Sequence, residues 1–345
     1  MDMNAPRSNP YVRDILGQPE ALSRTIERLP GARESGGIAA RSTGRLILTG
    51  MGASFHALIP LYYALVRRGR GDVHLVETSE LVHGLLDLVT PGAVIVATSQ
   101  SGRSAEIVSL LSVIPPDVTV IGVTNTSDGT LASDADVVIL TDAGEEHSVS
   151  SKTYTTALLA LEWVGRVLGG TSSDRLTRGF SAVAPSFAAY LERWDRSVGE
   201  MGEMLGESMS VTLVGRGESL ASTGMGALIL REASHAPATG MSSAAYRHGP
   251  IDMASPDEFV LAFAGAADTR PFIEHLVEDV RSYGGTAGLV RAGDESDPLT
   301  IPVTAPWMGP ILEILPVQVL TVAVAERTGR RAGEFSHIGK VTTVE

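Results

Sequence analysis

The chain has 345 residues, a net charge of −13, 43% hydrophobic residues, 5% aromatics and no cysteine. That length suits two domains, each with its own core, and the aliphatic composition is typical of α/β folds. The missing cysteine excludes disulfides, thiolate metal sites and cysteine nucleophiles, and the acidic balance argues against non-specific nucleic-acid binding.

In chain order, a helix is predicted over Pro10 to Arg28, after a polar start that lacks a signal-peptide core. The first strand signal is Arg45-Leu46-Ile47-Leu48-Thr49-Gly50, a short apolar run ending in glycine. A helix from about Ser54 to Arg68 follows, then a strand at Val73–Glu77, a helix near Ser79–Val89 and a strand at Ala93–Thr98. Ser104–Ile114 reads as a helix, Val118–Val123 and Val137–Thr141 as strands, and Tyr154–Leu168 as a long helix. Continuous Val/Ile/Leu strands alternating with helices predict a doubly wound parallel sheet covered on both faces, a three-layer α/β/α domain.

Gly169 to Ser173 is a break, and a polar, helix-rich connector leads to a second copy. Its strand Val211–Val214 ends in Gly215-Arg216-Gly217-Glu218-Ser219. A helix over Leu220–Ser234, a strand at Phe259–Phe263, a helix near Arg270–Ser282 and a strand at Thr286–Val290 come next. Last is an apolar helix, Gly309–Glu326. No run approaches the length of a transmembrane helix, so a soluble, cytoplasmic protein without membrane contact is expected. The predicted organisation is residues 1–28 as an N-terminal helical segment, 29–172 and 206–345 as tandem domains, and 173–205 as the connector. Thr49-Gly50-Met51-Gly52-Ala53-Ser54 aligns with Val214-Gly215-Arg216-Gly217-Glu218-Ser219, each between a strand and a helix. This repeat of about 165 residues points to duplication of one domain.

Thr98-Ser99-Gln100-Ser101-Gly102-Arg103-Ser104 also joins a buried strand to a helix. Ligands of open α/β sheets bind at the carboxyl ends of strands, where a helix N-terminus presents free N–H groups and a positive dipole end. One serine before a helix is an ordinary N-cap. Three hydroxyls within six residues point instead to an anion. The aligned segment of the second copy, Ala264-Gly265-Ala266-Ala267, has no hydroxyl, which predicts one phosphate site per chain. Neither glycine-bearing turn of the first half matches a dinucleotide fingerprint, and no Gly-Lys-Ser/Thr ending is present.

Five segments in order resemble the sugar isomerase (SIS) domain family in its tandem form. They are Gly50–Ser54; Ser99–Ser104; Ser150-Ser151-Lys152-Thr153-Tyr154-Thr155-Thr156; Arg231–Ala236 with Arg247-His248-Gly249-Pro250; and Lys340–Glu345. The resemblance covers residues 11–345 and extends to amino-sugar-phosphate synthases and stand-alone deaminases and isomerases. It implies that Ser54, Ser99, Gln100, Ser101 and Ser104 hold a sugar phosphate. Gly52, Ser150 and Lys152 join this binding set. It implies that Glu232 moves a proton between sugar carbons C1 and C2. His248 would open the ring from the neighbouring subunit of a homodimer with shared sites. Lys340 would help open the ketose ring or form an imine with its carbonyl. The implied chemistry needs no metal or cofactor, and His147 with Glu145 and Glu146 reads as a solvated loop.

Departures from the family matter. The family's synthase carries a glutamine-hydrolysing domain with a catalytic cysteine, so nitrogen is not expected to come from glutamine by that route. A lysine usual three residues before the proton-moving glutamate is Ile229, and a glutamate usual three residues before the histidine is Ala245. The first of these changes removes a cation near Glu232. The expected function is conversion of glucosamine 6-phosphate to fructose 6-phosphate and ammonia by C1–C2 proton transfer. One alternative is dehydration of N-acetylglucosamine 6-phosphate, in which abstraction at C2 expels the C3 hydroxyl. Another is a non-catalytic sugar-phosphate sensor. His235 and His337 are weaker candidates.

Overall fold

A computed structural model describes residues 8–41, 44–172 and 175–336. Strands β1 (Leu46–Gly50), β2 (Val73–Glu77), β3 (Val94–Thr98), β4 (Thr119–Thr124) and β5 (Val137–Leu140) form a parallel sheet in the order β2-β1-β3-β4-β5. Every residue of β1 and β3 is buried, as aliphatic strands covered on both faces must be. The edge strands β2 and β5 are only partly buried.

A second sheet contains β6 (Ser210–Gly215), β7 (Ala238–Ser242), β8 (Glu258–Phe263), β9 (Thr286–Ala292) and β10 (Thr300–Ile301), in the order β10-β9-β8-β6-β7. All its pairs are parallel too. Counted within its own sheet, each first strand lies between the second and third. The chain therefore leaves the first strand towards one edge and returns across it towards the other, creating a switch point between the first and third strands.

The described residues of 20–146 and 152–181 make one compact unit, here the first, around β1–β5. Those of 8–19, 147–151 and 182–336 make the second, around β6–β10. Helices Val183–Leu191 and Trp194–Leu205, in the segment read as a connector, belong to the second unit, where the latter packs on helix Ile314–Arg327. In the first unit, Ile47, Ile95 and Ala97 pack with Ile107, Leu110 and Leu131. In the second, Val214, Val260 and Ala262 pack with Tyr246, Ile273 and Leu276.

Several boundaries differ from expectation for local reasons. The predicted helix over Pro10 to Arg28 is two helices, Pro10–Leu16 and Gln18–Arg28, separated by Gly17. The helix expected near Ser79–Val89 stops at His83, before Gly84. Helix Ala32–Arg41 and strands β7 and β10 carry too weak an apolar pattern to be seen in the sequence. At the middle of β7, a Cβ on Gly240 would overlap the Thr223 carbonyl. Glycine there lets the strand lie against helix Leu220–Ser234, although its residues lack the usual β-branched or aromatic signal.

The expectation that no run reaches membrane-spanning length needs correction. Pro306–Arg327 is helical over 22 residues and apolar enough to span, yet 94% of its apolar window is buried inside the protein. It is a core helix, packed on helices Leu220–Ser234 and Trp194–Leu205.

Candidate functional site

The first sheet ends in two adjacent loops. Gly50 closes β1 and pairs in register with Thr98, the last residue of β3. Gly50 cannot be larger, because a Cβ would sit 2.9 Å from the Thr98 carbonyl oxygen and 3.1 Å from the Ser54 backbone carbon. The chain then turns through Gly52, at φ 52°, into helix Gly52–Arg67. That left-handed conformation suits glycine. Ser54 stands in the first helical turn, half-buried, and its hydroxyl meets no partner among the described residues.

The second loop is held from inside. The Ser99 N–H donates to the Val123 carbonyl at 3.0 Å. The Gln100 carbonyl accepts from the Asn125 N–H at 3.1 Å and from the Thr124 and Thr126 hydroxyls, both at 3.3 Å. Ser99 Oγ accepts from the Gly102 N–H and Ser101 Oγ from the Arg103 N–H, each at 3.2 Å. Both hydroxyls keep their own protons to give. The N–H groups of Gln100, Ser101 and Ser104 donate to nothing among the described residues.

The Ser104 hydroxyl does not serve as a helix cap. Ser104 is the N-cap of helix Ala105–Val113 by position and backbone angles, and its carbonyl accepts the Val108 N–H at 3.0 Å. Its side chain makes no capping hydrogen bond. The loop thus gathers serine hydroxyls, free amides and a helix N-terminus at the switch point, an arrangement suited to an anion such as phosphate. Arg103 is turned aside, with its guanidinium 2.6 Å from Asp128. The serine hydroxyls and backbone amides that remain in the loop are neutral donors.

The second sheet is built differently at the equivalent place. Ser219, aligned with Ser54, donates its hydroxyl to Glu313 Oε1 at 2.8 Å, and Ser222 donates to Oε2 at 2.7 Å. Glu313 is only 4% exposed. Burial pushes its carboxyl up to about 7 against the pull of the two hydroxyls, and Glu218 adds to the rise. An internal carboxyl thus takes up the hydroxyl of the serine aligned with Ser54.

Glu232 lies in the last turn of helix Leu220–Ser234, half-buried, with no hydrogen bond or ion pair among the described residues. Ile229 and Met225, one and two turns earlier, are fully buried, so its side of the helix is an apolar stripe. Burial raises the Glu232 carboxyl above its ordinary range, and Arg231 opposes this only in part. His248 follows helix Ser243–Arg247 as an exposed C-cap, its N–H donating to the Ala245 carbonyl at 3.1 Å.

The structure brings Gly52, Ser54, Ser99, Gln100, Ser101 and Ser104 to one end of the first sheet. Glu232 and His248 belong to the second unit. Ser150 falls in the second unit and Lys152 in the first, both half-buried. Lys152 opens helix Lys152–Leu168, and its carbonyl accepts the Thr155 and Thr156 hydroxyls at 3.1 and 2.9 Å. Lys340 and His337 lie outside the described residues. His235 ends helix Leu220–Ser234 at φ 53° and its ring meets the Glu334 carbonyl at 3.1 Å.

The solvated-loop reading of residues 145–147 needs correction at Glu146. This residue is buried and accepts the Thr153 N–H at 3.0 Å and the Thr153 hydroxyl at 2.6 Å, capping the following helix. The His147 N–H donates to Asp14 at 2.7 Å. Among the described residues no group of three His, Asp or Glu side chains could hold a metal ion.

The SIS domain family model matches residues 40–163, the stretch that holds both loops of the first sheet. This part of the chain is a SIS domain. The whole chain is 26% identical, over 97% of its length, to a glutamine–fructose-6-phosphate aminotransferase (isomerizing) of Pyrococcus horikoshii. It spans 57% of that relative, a little more than half. Among solved structures it superposes on the C-terminal domain of glucosamine-fructose-6-phosphate aminotransferase from Francisella tularensis with a TM-score of 0.84 at 20% identity, covering 97% of this chain and 100% of that one. A glucosamine-6-phosphate deaminase from Thermotoga maritima superposes with a TM-score of 0.79 at 19% identity, over 97% and 100% of the two chains.

The SIS domain also holds polar groups that the sequence did not single out. The Thr98 hydroxyl and Glu106 Oε2, beside the serine loop, are buried with no hydrogen-bond partner among the described residues. Glu106, 8% exposed, was visible only as an acid in the first turn of an apolar helix. Outside the SIS domain, Glu313 was visible as a lone acid inside the apolar segment Pro310-Ile311-Leu312-Glu313-Ile314-Leu315.

Proposed function

We propose that this chain is a sugar-phosphate isomerase-type enzyme that converts glucosamine 6-phosphate to fructose 6-phosphate and ammonia. The observation that carries this reading is Glu232, a half-buried carboxyl with no partner among the described residues and with its pKa raised by burial, which strengthens it as a base for proton transfer. The names of the relatives and of the deaminase neighbour support an amino-sugar 6-phosphate as substrate. Ser54, Ser99, Gln100, Ser101 and Ser104 hold the phosphate. Gly52 gives the backbone turn beneath it, and Ser150 and Lys152 shape the sugar pocket.

In the open-chain sugar, the Glu232 carboxylate takes the proton from C2. The C–H electrons form the C1=C2 double bond as the aldehyde oxygen gains a proton. Return of the proton to C1 leaves an imine at C2, and water then displaces ammonia. His248 of the partner subunit opens the ring, and Lys340 assists at the ketose. The active unit is a homodimer with shared sites. The two units of the chain are a tandem pair of SIS domains, a reading supported by their identical strand order.

A second reading has its own observation. Ile229, where the family has a lysine, is fully buried one turn before Glu232. With no cation there beside Glu232, the alternative outcome is that abstraction at C2 of an N-acetylated substrate leads to expulsion of the C3 hydroxyl. A panel of glucosamine 6-phosphate and its N-acetyl form, followed for ammonia, ketose phosphate and ultraviolet absorbance, tests both. Ammonia and ketose phosphate from the free amine are expected. An ultraviolet chromophore from the acetylated sugar would favour elimination. Binding without turnover of either would refute catalysis.

A further inference from the structure

His248 emerges from a segment that cannot hold itself. Helix Ser243–Arg247 has five residues, too few to be stable alone. Its N-cap, Ser242, accepts the Ala245 N–H at 3.1 Å. Everything else that fixes it comes from elsewhere in the second unit.

The central tie is buried. Tyr246 is 0% exposed, and its hydroxyl donates to Glu258 Oε2 at 2.9 Å. Glu258, at the start of β8 and 7% exposed, accepts the Thr212 hydroxyl of β6 on Oε1 at 2.6 Å. Burial and this hydrogen bond both push the Tyr246 hydroxyl up, so it stays a donor. On one flank, Arg247 Nη1 lies 2.7 Å from Asp279 of helix Arg270–Ser282. On the other, Arg216 Nε donates to Ser243 Oγ at 2.7 Å. Both flanking ties are partly exposed, whereas the Tyr246–Glu258–Thr212 chain is enclosed. A buried carboxylate with a hydroxyl on each oxygen gives a short, directional tie, because leaving either oxygen unpaired is costly.

The His248 side chain itself meets no partner among the described residues, so its position is inherited from the backbone of this turn. We infer that Glu258 and Tyr246 are positioning residues for His248, fixing the turn that carries it so that its imidazole is aimed for ring opening. This rests on the role proposed for His248. It predicts that loosening the tie harms ring opening and spares the later proton transfer.

The test compares two ketoses. Fructose 6-phosphate closes its ring through O5, whereas 5-deoxyfructose 6-phosphate has no O5 and stays open. Each is incubated with the protein and ammonium in deuterated water, and exchange at C1 is followed by nuclear magnetic resonance. Tyr246→Phe should lower the ratio of cyclic to open-chain exchange about tenfold, the order expected when a catalytic group is slightly misplaced. Glu258→Gln, which keeps an acceptor but weakens the bond, should lower it two- to threefold and serves if Tyr246→Phe does not fold. A purely structural role would lower both rates together and leave the ratio unchanged. His248→Ala is the reference. If it lowers the ratio and neither positioning variant does, the inference is overturned alone. If His248→Ala leaves the ratio unchanged, the role of His248 is wrong and the inference falls with it.

Discussion

Replacing Glu313 with glutamine should remove a pH dependence from the stability of the second unit. The native carboxyl sits near 7 against an ordinary value of 4.5 because it is buried. Between those values the folded protein holds a proton that the unfolded chain has lost. Unfolding therefore becomes easier as pH rises through this window, and the loss is complete above about pH 7. The gap between 4.5 and about 7 corresponds to ~3 kcal/mol, at roughly 1.4 kcal/mol for each tenfold change in proton affinity. Glutamine imitates the protonated acid, since its carbonyl can accept one serine hydroxyl and its amide can donate to the other. Wild type and Glu313→Gln should match in urea unfolding at pH 4.5, and the variant should be more stable by about 3 kcal/mol at pH 8. Differences taken at each pH cancel every other titrating group. A gap that stays constant from pH 4.5 to pH 8 would show that Glu313 does not carry the proton, and the buried-acid description would be wrong.

The serine loop gives a second prediction. Replacing Ser99 and Ser101 with alanine removes two hydroxyl donors of the loop, so calorimetry should show weaker binding of every 6-phosphate ligand by a similar factor, about tenfold for each lost donor. Unchanged affinity would remove the phosphate from this loop. Shared sites give a third. Mixing inactive Glu232→Gln and inactive His248→Ala subunits under conditions that exchange chains should restore activity, because one heterodimer site is intact. Confirmed exchange by mass without activity would exclude a shared site.

Much of the architecture was legible because parallel, buried strands write themselves as short aliphatic runs. Val73–Glu77, Leu220–Ser234 and Arg270–Ser282 have the bounds that the sequence suggests. The paired loops at Gly50–Ser54 and Ser99–Ser104 were legible for the same reason, since each strand end is marked by glycine and serine. What escaped notice lacks a local signal. β7 is an edge strand shaped by the close approach of Gly240, and β10 has only two residues. Residues 8–19 and 147–151 group with the unit around the second sheet only in three dimensions, which no local pattern marks. Glu146, Glu258 and Glu313 look like ordinary acids in sequence. Glu146 takes its role from Thr153, seven residues on, whereas Glu258 and Glu313 take theirs from hydroxyls distant in the chain, such as Thr212, which lies 46 residues from Glu258.

Glu232 is proposed to carry the proton between C1 and C2. The most direct measurement is exchange of the glucosamine 6-phosphate C2 proton with deuterated water in the Glu232→Gln variant, alongside calorimetric binding of the same sugar phosphate. Glutamine keeps the shape of the side chain and cannot accept the proton, so binding should persist while exchange disappears. Exchange retained at the wild-type rate would mean that another group is the base, and the assignment of Glu232 would be contradicted.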